Sequence, residues 1–307
     1  MLSLVLSLIS LLAPSVPVRQ SRDGGQYTIA VDVDLVVFNV TVTDNKGRQM
    51  SGLKAADFKI YEEGRLQDIK LFHAEDVPAS VGLIIDNSGS MRDKYADVTK
   101  AALAFVDASN PADEMFLVSF NEKVYLGLPR SMPFTSDVSQ IRSALLRTTP
   151  DGLTALYDAL AAGIEHLKTG TRDRKALVLL SDGGDNASQR TLDEVLQIAR
   201  RSNATIYTIG IYDLSDQDRN PGVLRKIAEV SGGRAYFPNS VADLDKIWLE
   251  IAGGIRSQYT IGYTSGNRSR DGAFRKVKIV ASRDGGRTLR VTTRDGFVAP
   301  SDKSIPR

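Results

Sequence analysis

The sequence predicts an α/β domain, a doubly wound and mostly parallel sheet with helices on both faces, inserted in a second, all-β sandwich domain. Three observations predict it. Between residues 79 and 256 short apolar runs alternate with amphipathic stretches of helical length, the pattern of a parallel sheet and its covering helices. On either side, at 27–77 and 257–299, the sequence carries short β-branched and aromatic segments separated by turn residues. Neither flank alone has enough strands for a stable core, so the two are assigned to one sandwich of about seven strands interrupted by the α/β unit.

The elements follow in chain order. Residues 2–18 are uncharged and strongly apolar, and Arg19 is the first charged side chain. That length falls between a signal-peptide core and the shortest membrane span, so 1–18 is taken as a signal peptide, with a retained N-terminal membrane anchor as the alternative. Either places the protein outside the cytoplasm: periplasmic, secreted or anchored at the cell surface. Residues 20–26 are polar and glycine-containing and read as a linker. A strand pattern from 27 to 42 ends in turn residues at 44–47; strands at 58–61 and 69–73 flank the tight turn that begins at Glu62.

In the α/β region the run at 81–85 shows no alternation, as expected of a strand covered on both faces. Helices are expected at 93–108, 136–147, 154–168, 191–202, 221–231 and 241–255, with strands at 115–120, 124–128, 176–180, 205–211 and 235–237. The strand at 124–128 follows its predecessor too closely for a helical crossover, so it should be an antiparallel edge. The last helix runs almost directly into a strand at 259–263, with Arg256, Ser257 and Gln258 between them. That join admits two readings: a helix able to shift between two packings, or one locked into the core. Strands at 274–281 and 288–293 follow, with a hairpin turn at Asp284, and 300–307 is a tail.

The apolar run at 81–85 breaks off into Asp86, Ser88 and Ser90. In an open α/β sheet this carboxyl edge is where ligands bind. Two hydroxyls and a carboxylate at alternate positions offer hard oxygen donors suited to a small divalent cation such as Mg²⁺, but they serve equally well to cap the next helix. Two further segments add weight to the cation. Thr154 opens a second amphipathic run, and Asp182 ends a second apolar run at 175–182. These residues resemble the metal-ion-dependent adhesion site of the von Willebrand factor type A domain, in which Asp-x-Ser-x-Ser is followed by a Thr and then an Asp. The resemblance covers roughly 79–256 and implies a metal site of Asp86, Ser88, Ser90, Thr154 and Asp182. Asp185, close by, is taken as a loop or outer-shell residue outside the set. The layout as a whole resembles exported bacterial proteins of this family.

Composition narrows the function. Of 307 residues 42% are hydrophobic and 25% charged, as in ordinary globular proteins, and the length suits about two domains. A net charge of +2 argues against a nucleic-acid binder. Residues 256–307 hold +8 and the rest, by difference, −6; solvated strand faces account for the basic excess. Cysteine is absent, which removes disulfides and thiolate chemistry. An Asp-based phosphohydrolase would want a second carboxylate at position 88, where this chain has Ser, and neither a nucleophile elbow nor a phosphate loop is present. His73 and His166 read as structural or surface residues. The expectation is therefore a non-enzymatic, metal-dependent protein-binding or adhesion module. Its cation is Mg²⁺, with Mn²⁺ or Ca²⁺ as alternatives, and an acidic side chain of a protein partner completes the shell. A scaffold whose metal only ties loops together is the second reading, and a metal-dependent phosphohydrolase the third.

Overall fold

The computed structural model describes residues 35–74, 76–212, 219–240, 243–283 and 287–301. The described chain opens with β1 (Leu35–Thr43), β2 (Phe58–Glu62), β3 (Arg65–Gln67) and β4 (Ile69–His73). The α/β unit follows as β5 (Ala79–Asp86), α1 (Tyr95–Ala108), β6 (Glu114–Phe120), β7 (Val124–Leu126), α2 (Val138–Leu145), α3 (Leu156–Leu167), β8 (Arg174–Ser181), α4 (Leu192–Arg201), β9 (Thr205–Gly210), α5 (Pro221–Ser231), β10 (Ala235–Tyr236) and α6 (Leu244–Arg256). Strands β11 (Tyr259–Thr264), β12 (Phe274–Arg283), β13 (Arg287–Thr288), β14 (Arg290–Thr292) and β15 (Gly296–Val298) complete it. The expected signal peptide or anchor at 1–18, the linker at 20–26, the start of the first strand and the turn at Asp284 lie outside the described residues, as does nearly all of the tail.

Burial explains the central strand. Every residue of β5 is buried, so its unbroken apolar run is satisfied only with a strand on each side and a helix layer on each face. The sheet order is β10-β9-β8-β5-β6-β7, parallel except for β7, which pairs antiparallel with β6 at the edge. From β5 the chain winds outward through β6 and β7, then returns to the other side of β5 at β8. The reversal between β5 and β8 is the topological switch point, where the ends of adjacent strands leave a crevice. Gly163 lets α3 lie close to β5: a Cβ there would stand 2.5 Å from Ile84 Cδ1. On the opposite face α6 packs through Trp248, fully buried with its ring 5.0 Å from that of Phe105 in α1.

Local signals set the helix ends. Thr191 and Glu194 form a reciprocal capping box at the start of α4. Asn220 caps α5, with Pro221 in its first turn and Gly232 in the left-handed conformation at its end.

The flanking strands form two further sheets around a separate apolar cluster that includes Phe38, Ile60, Tyr259 and Ile261. One has the order β14-β1-β11-β4, the other β13-β12-β2-β3 with β15 added beside β12. Two pairings differ from expectation. The turn after Glu62 joins β2 to the short β3, whereas β4 crosses to the other sheet to pair with β11. A local turn reports only the nearest partner; the burial available beside β11 decides where β4 goes. Likewise, the strand expected at 288–293 is divided: Thr288 pairs with β12 and Arg290–Thr292 with β1. The chain changes sheets at the buried Leu289.

Two buried arginines join the sandwich to the α/β unit. Arg174 donates to the carbonyls of Ile255 (2.9 Å), Arg256 (3.2 Å) and Gln258 (2.8 Å), spanning the end of α6 and the start of β11. Arg294 donates to Ser202 O (2.9 Å) at the end of α4 and to Val37 O (2.7 Å) in β1, with its guanidinium over the Phe38 ring.

Candidate metal centre

Asp86 ends β5 and Asp182 follows β8, so the two carboxylates meet at the switch point. A short 3₁₀ segment, Gly89–Lys94, turns the chain after Ser88 and carries Ser90 back toward the sheet. Ser90 Oγ donates to Asp182 Oδ2 at 2.7 Å, and the hydroxyls of Ser88 and Ser90 lie 3.1 Å apart. The Ser88 amide donates to Asp86 Oδ1 at 2.9 Å. Four of the five residues singled out by sequence are thus brought together by direct hydrogen bonds.

Thr154 enters through its loop. The Asp151 amide donates to Asn87 O and the Gly89 amide to Gly152 O, which fastens the second loop to the first. Asn186 fastens it to the third: its Oδ1 accepts from the Thr154 amide at 2.8 Å while its own amide donates back to Thr154 O. The third loop turns at Gly183, whose φ of +86° favours glycine, and a Cβ there would stand 2.4 Å from Asn220 O. Asp185 shares none of the hydrogen bonds given above for this cluster. It accepts from the Tyr157 amide and the Ser188 hydroxyl at the start of α3, a helix-capping role.

Sequence reasoning missed two residues. Ser181 Oγ donates to Asp86 Oδ2 at 2.6 Å and accepts from the Gly183 amide, and Asn186 joins two loops as described. The available signal for Ser181 was a hydroxyl closing an otherwise apolar strand. Asn186, in a polar loop, carried none.

The electrostatics suit a cation. Asp86 is fully buried, and that burial pushes its carboxyl up to about 6, against the hydrogen bonds from Ser181 and Ser88 and with the Asp182 charge adding to the rise. A buried carboxylate of this kind gains from a positive charge beside it. Among the described residues no three acidic or histidine side chains converge, so a cation here must draw on hydroxyl oxygens. Two carboxylates with serine and threonine hydroxyls are a hard-oxygen donor set that fits Mg²⁺, Mn²⁺ or Ca²⁺ and not a thiophilic metal.

The comparisons with known proteins agree with this fold. The model of the von Willebrand factor type A domain matches residues 80–248. An uncharacterized protein of Synechocystis sp. is 29% identical over 174 residues, 54% of this chain and 39% of its own length. Inter-alpha-trypsin inhibitor heavy chain H4 of Homo sapiens is 23% identical over 206 residues, 62% of this chain and 22% of its own. The chain therefore spans well under half the length of either curated relative. Among solved structures, a von Willebrand factor type A protein from Catenulispora acidiphila superposes with a TM-score of 0.53 at 19% identity, covering 88% of this chain and 75% of its own, a likeness of fold.

Proposed function

Because the chain belongs to the von Willebrand factor type A domain family, we propose that it is a metal-ion-dependent protein-binding module, and not an enzyme, whose cation is held by Asp86, Ser88, Ser90, Thr154 and Asp182. Domains of this family mediate protein–protein interaction. The observation that carries the finer reading is the donor set at the switch point. With two carboxylates and three neutral hydroxyls, a bound divalent ion keeps residual positive charge, and a carboxylate from a partner would complete its shell. Mg²⁺ is the leading ion, with Mn²⁺ or Ca²⁺ as alternatives. These residues would hold the ion, which would supply the positive charge that attracts an acidic group of the partner.

The apolar residues 2–18 support export, to the periplasm, the cell surface or the medium. Among the described residues no helix is long and apolar enough to cross a membrane. The same reading assigns 27–77 and 257–299 to one sandwich and 79–256 to the binding domain. Calorimetric titration with Mg²⁺ tests the metal, and a pull-down from surface or periplasmic extract in Mg²⁺ and in EDTA tests the partner. Retention of partners in EDTA would favour the scaffold reading, in which the ion only ties the loops together.

A further inference from the structure

We propose that the outer face of the sheet formed by β12, β2 and β3 docks on an anionic lipid surface, a contact separate from the metal centre and independent of it. Strand register places the residues. Along β12 the side chains alternate, with Arg275, Val277, Ile279 and Ala281 buried in the sandwich and Phe274, Lys276, Lys278 and Val280 on the outer face. On β2 the outer positions are Lys59 and Tyr61. Antiparallel pairing sets Val280 opposite Lys59, and Lys278 opposite Tyr61, which in turn faces Leu66 of β3. On the other side of β12, Lys276 lies across from Gly296 and Phe274 across from Val298. Residues directly opposite in a ladder share a face and are neighbours, so these side chains form one continuous surface.

That surface is both basic and apolar. Leu66 is 61% exposed and Phe274 44%. The Phe274 ring lies over Gly296, where a Cβ would stand 2.6 Å from its Cζ, and so comes beside Lys276. An open groove of about 520 Å³ runs over the same face, lined by Tyr61, Glu63, Gly64, Lys276, Lys278 and Val280. Among the described residues none of Lys59, Lys276 and Lys278 forms an ion pair. Glu63, the one acid of the groove, already accepts from the Lys276 amide through Oε1. Apolar side chains scattered singly over a surface mean little, but here they share a ladder with unpaired lysines, which marks a contact face.

The combination selects the partner. A polyanionic glycan would satisfy the lysines and leave Leu66 and Phe274 in water, whereas a purely apolar ligand would leave the lysines facing nothing. A bilayer surface that contains anionic lipid meets both needs. Its phosphates take the ammonium groups, the apolar side chains dip into the interfacial region, and a tyrosine ring suits the level of the headgroups. A fluid surface also conforms to an open groove without a matching protein shape.

The test is acetylation of lysines by an amine-reactive reagent, read by mass spectrometry, on the full chain alone and with vesicles of phosphatidylcholine, either pure or mixed with phosphatidylglycerol. Residues 2–18, where retained, hold the chain to either vesicle, so the two arms differ only in what the face does. On mixed vesicles Lys59, Lys276 and Lys278 should label at least about fivefold more slowly than in the free chain, the factor one lysine contributes near an anionic surface. Lys100 in α1 and Lys226 in α5, both exposed, should label as before, and pure phosphatidylcholine should slow none of the five. Lys276→Gln, and separately Leu66→Ser with Phe274→Ser, should return the remaining face lysines to their free rate. All three positions are exposed, urea midpoints check the fold, and the wild-type comparison decides even where a variant fails to fold. Face lysines that label alike with and without mixed vesicles, or slow as much on pure phosphatidylcholine, would overturn the proposal. So would slowing by soluble polygalacturonate that equals the effect of mixed vesicles and is indifferent to the two serines, the mark of a plain polyanion site.

Discussion

Replacing Asp86 by asparagine should make the metal-free protein less sensitive to pH, with a sign opposite to that of an ordinary surface carboxylate. Asp86 is fully buried, and burial raises its carboxyl from the usual 3.8 to about 6. The folded state therefore holds this proton more tightly than the unfolded chain does. Its contribution to stability is fully present below about pH 4 and is lost as pH rises through about 6. The difference between 3.8 and about 6 corresponds to about 3 kcal/mol. Asparagine keeps an acceptor for the Ser88 amide but replaces the oxygen that accepts from Ser181, a change of roughly 1 kcal/mol that does not vary with pH. The readout is therefore the change in the stability difference between the two proteins. Urea denaturation in EDTA from about pH 4 to pH 8 should show Asp86→Asn gaining about 3 kcal/mol on wild type across that window. Saturating Mg²⁺ should then restore wild type alone, by about 2.7 kcal/mol at a hundredfold excess over Kd. A stability difference that stays flat, or one that moves against asparagine as pH rises, would refute the argument from burial.

Asp86→Ala and Asp182→Ala should each abolish Mg²⁺ binding by calorimetry, since each removes one of two carboxylates from the set, while each variant still unfolds in a single cooperative transition without metal. Generic phosphate and carboxyl esters with Mg²⁺ or Mn²⁺ should show no turnover; activity that disappears in Asp86→Ala would overturn the non-enzymatic reading. Trp248→Ala should cost about 3–5 kcal/mol in urea denaturation, because the fully buried indole fills the space between α6 and α1. Arg174→Ala should cost at least about 3 kcal/mol by leaving three carbonyls without their charged donor, and wild-type stability in that variant would remove the clamp from the account.

The α/β unit was legible because its signals are local and repeated. The unbroken burial of β5, the capping box of α4 and the asparagine–proline start of α5 are each written in adjacent residues. The strand-end positions of Asp86 and Asp182 followed from where the apolar runs stop. What was not legible depended on distant pairing. Nothing local to Ile69–His73 says that it leaves its neighbour β2 for β11, almost two hundred residues on, or that Leu289 carries the chain from one sheet to the other. Ser181 and Asn186 escaped notice for a related reason: their partners, Asp86 and Thr154, lie far off in sequence and become neighbours only across the switch point.

We propose that the same distant contacts hold α6 locked, the second of the two readings of the join after it. A helix that shifts along its axis needs a loose end, and the sequence leaves only Arg256, Ser257 and Gln258 to supply one. The structure fills that short link with bonds. Arg174 holds two of its carbonyls, Arg256 O and Gln258 O, together with Ile255 O in α6; Gln258 Nε2 donates to the Tyr207 hydroxyl at 3.0 Å, Ser257 Oγ donates to Gln49 in the sandwich, and Arg256 pairs with Asp76. The exposed Arg256 pair contributes little, but the buried guanidinium contributes more: moving α6 by a turn would strip it of its acceptors on Ile255 and Arg256. Trp248 would also have to leave Phe105, and a close-packed interior offers no second seat of that size. In this state α6 is therefore core rather than lever. Coupling between partner binding and the sandwich would require a ligand to favour a second arrangement by more than these contacts together provide.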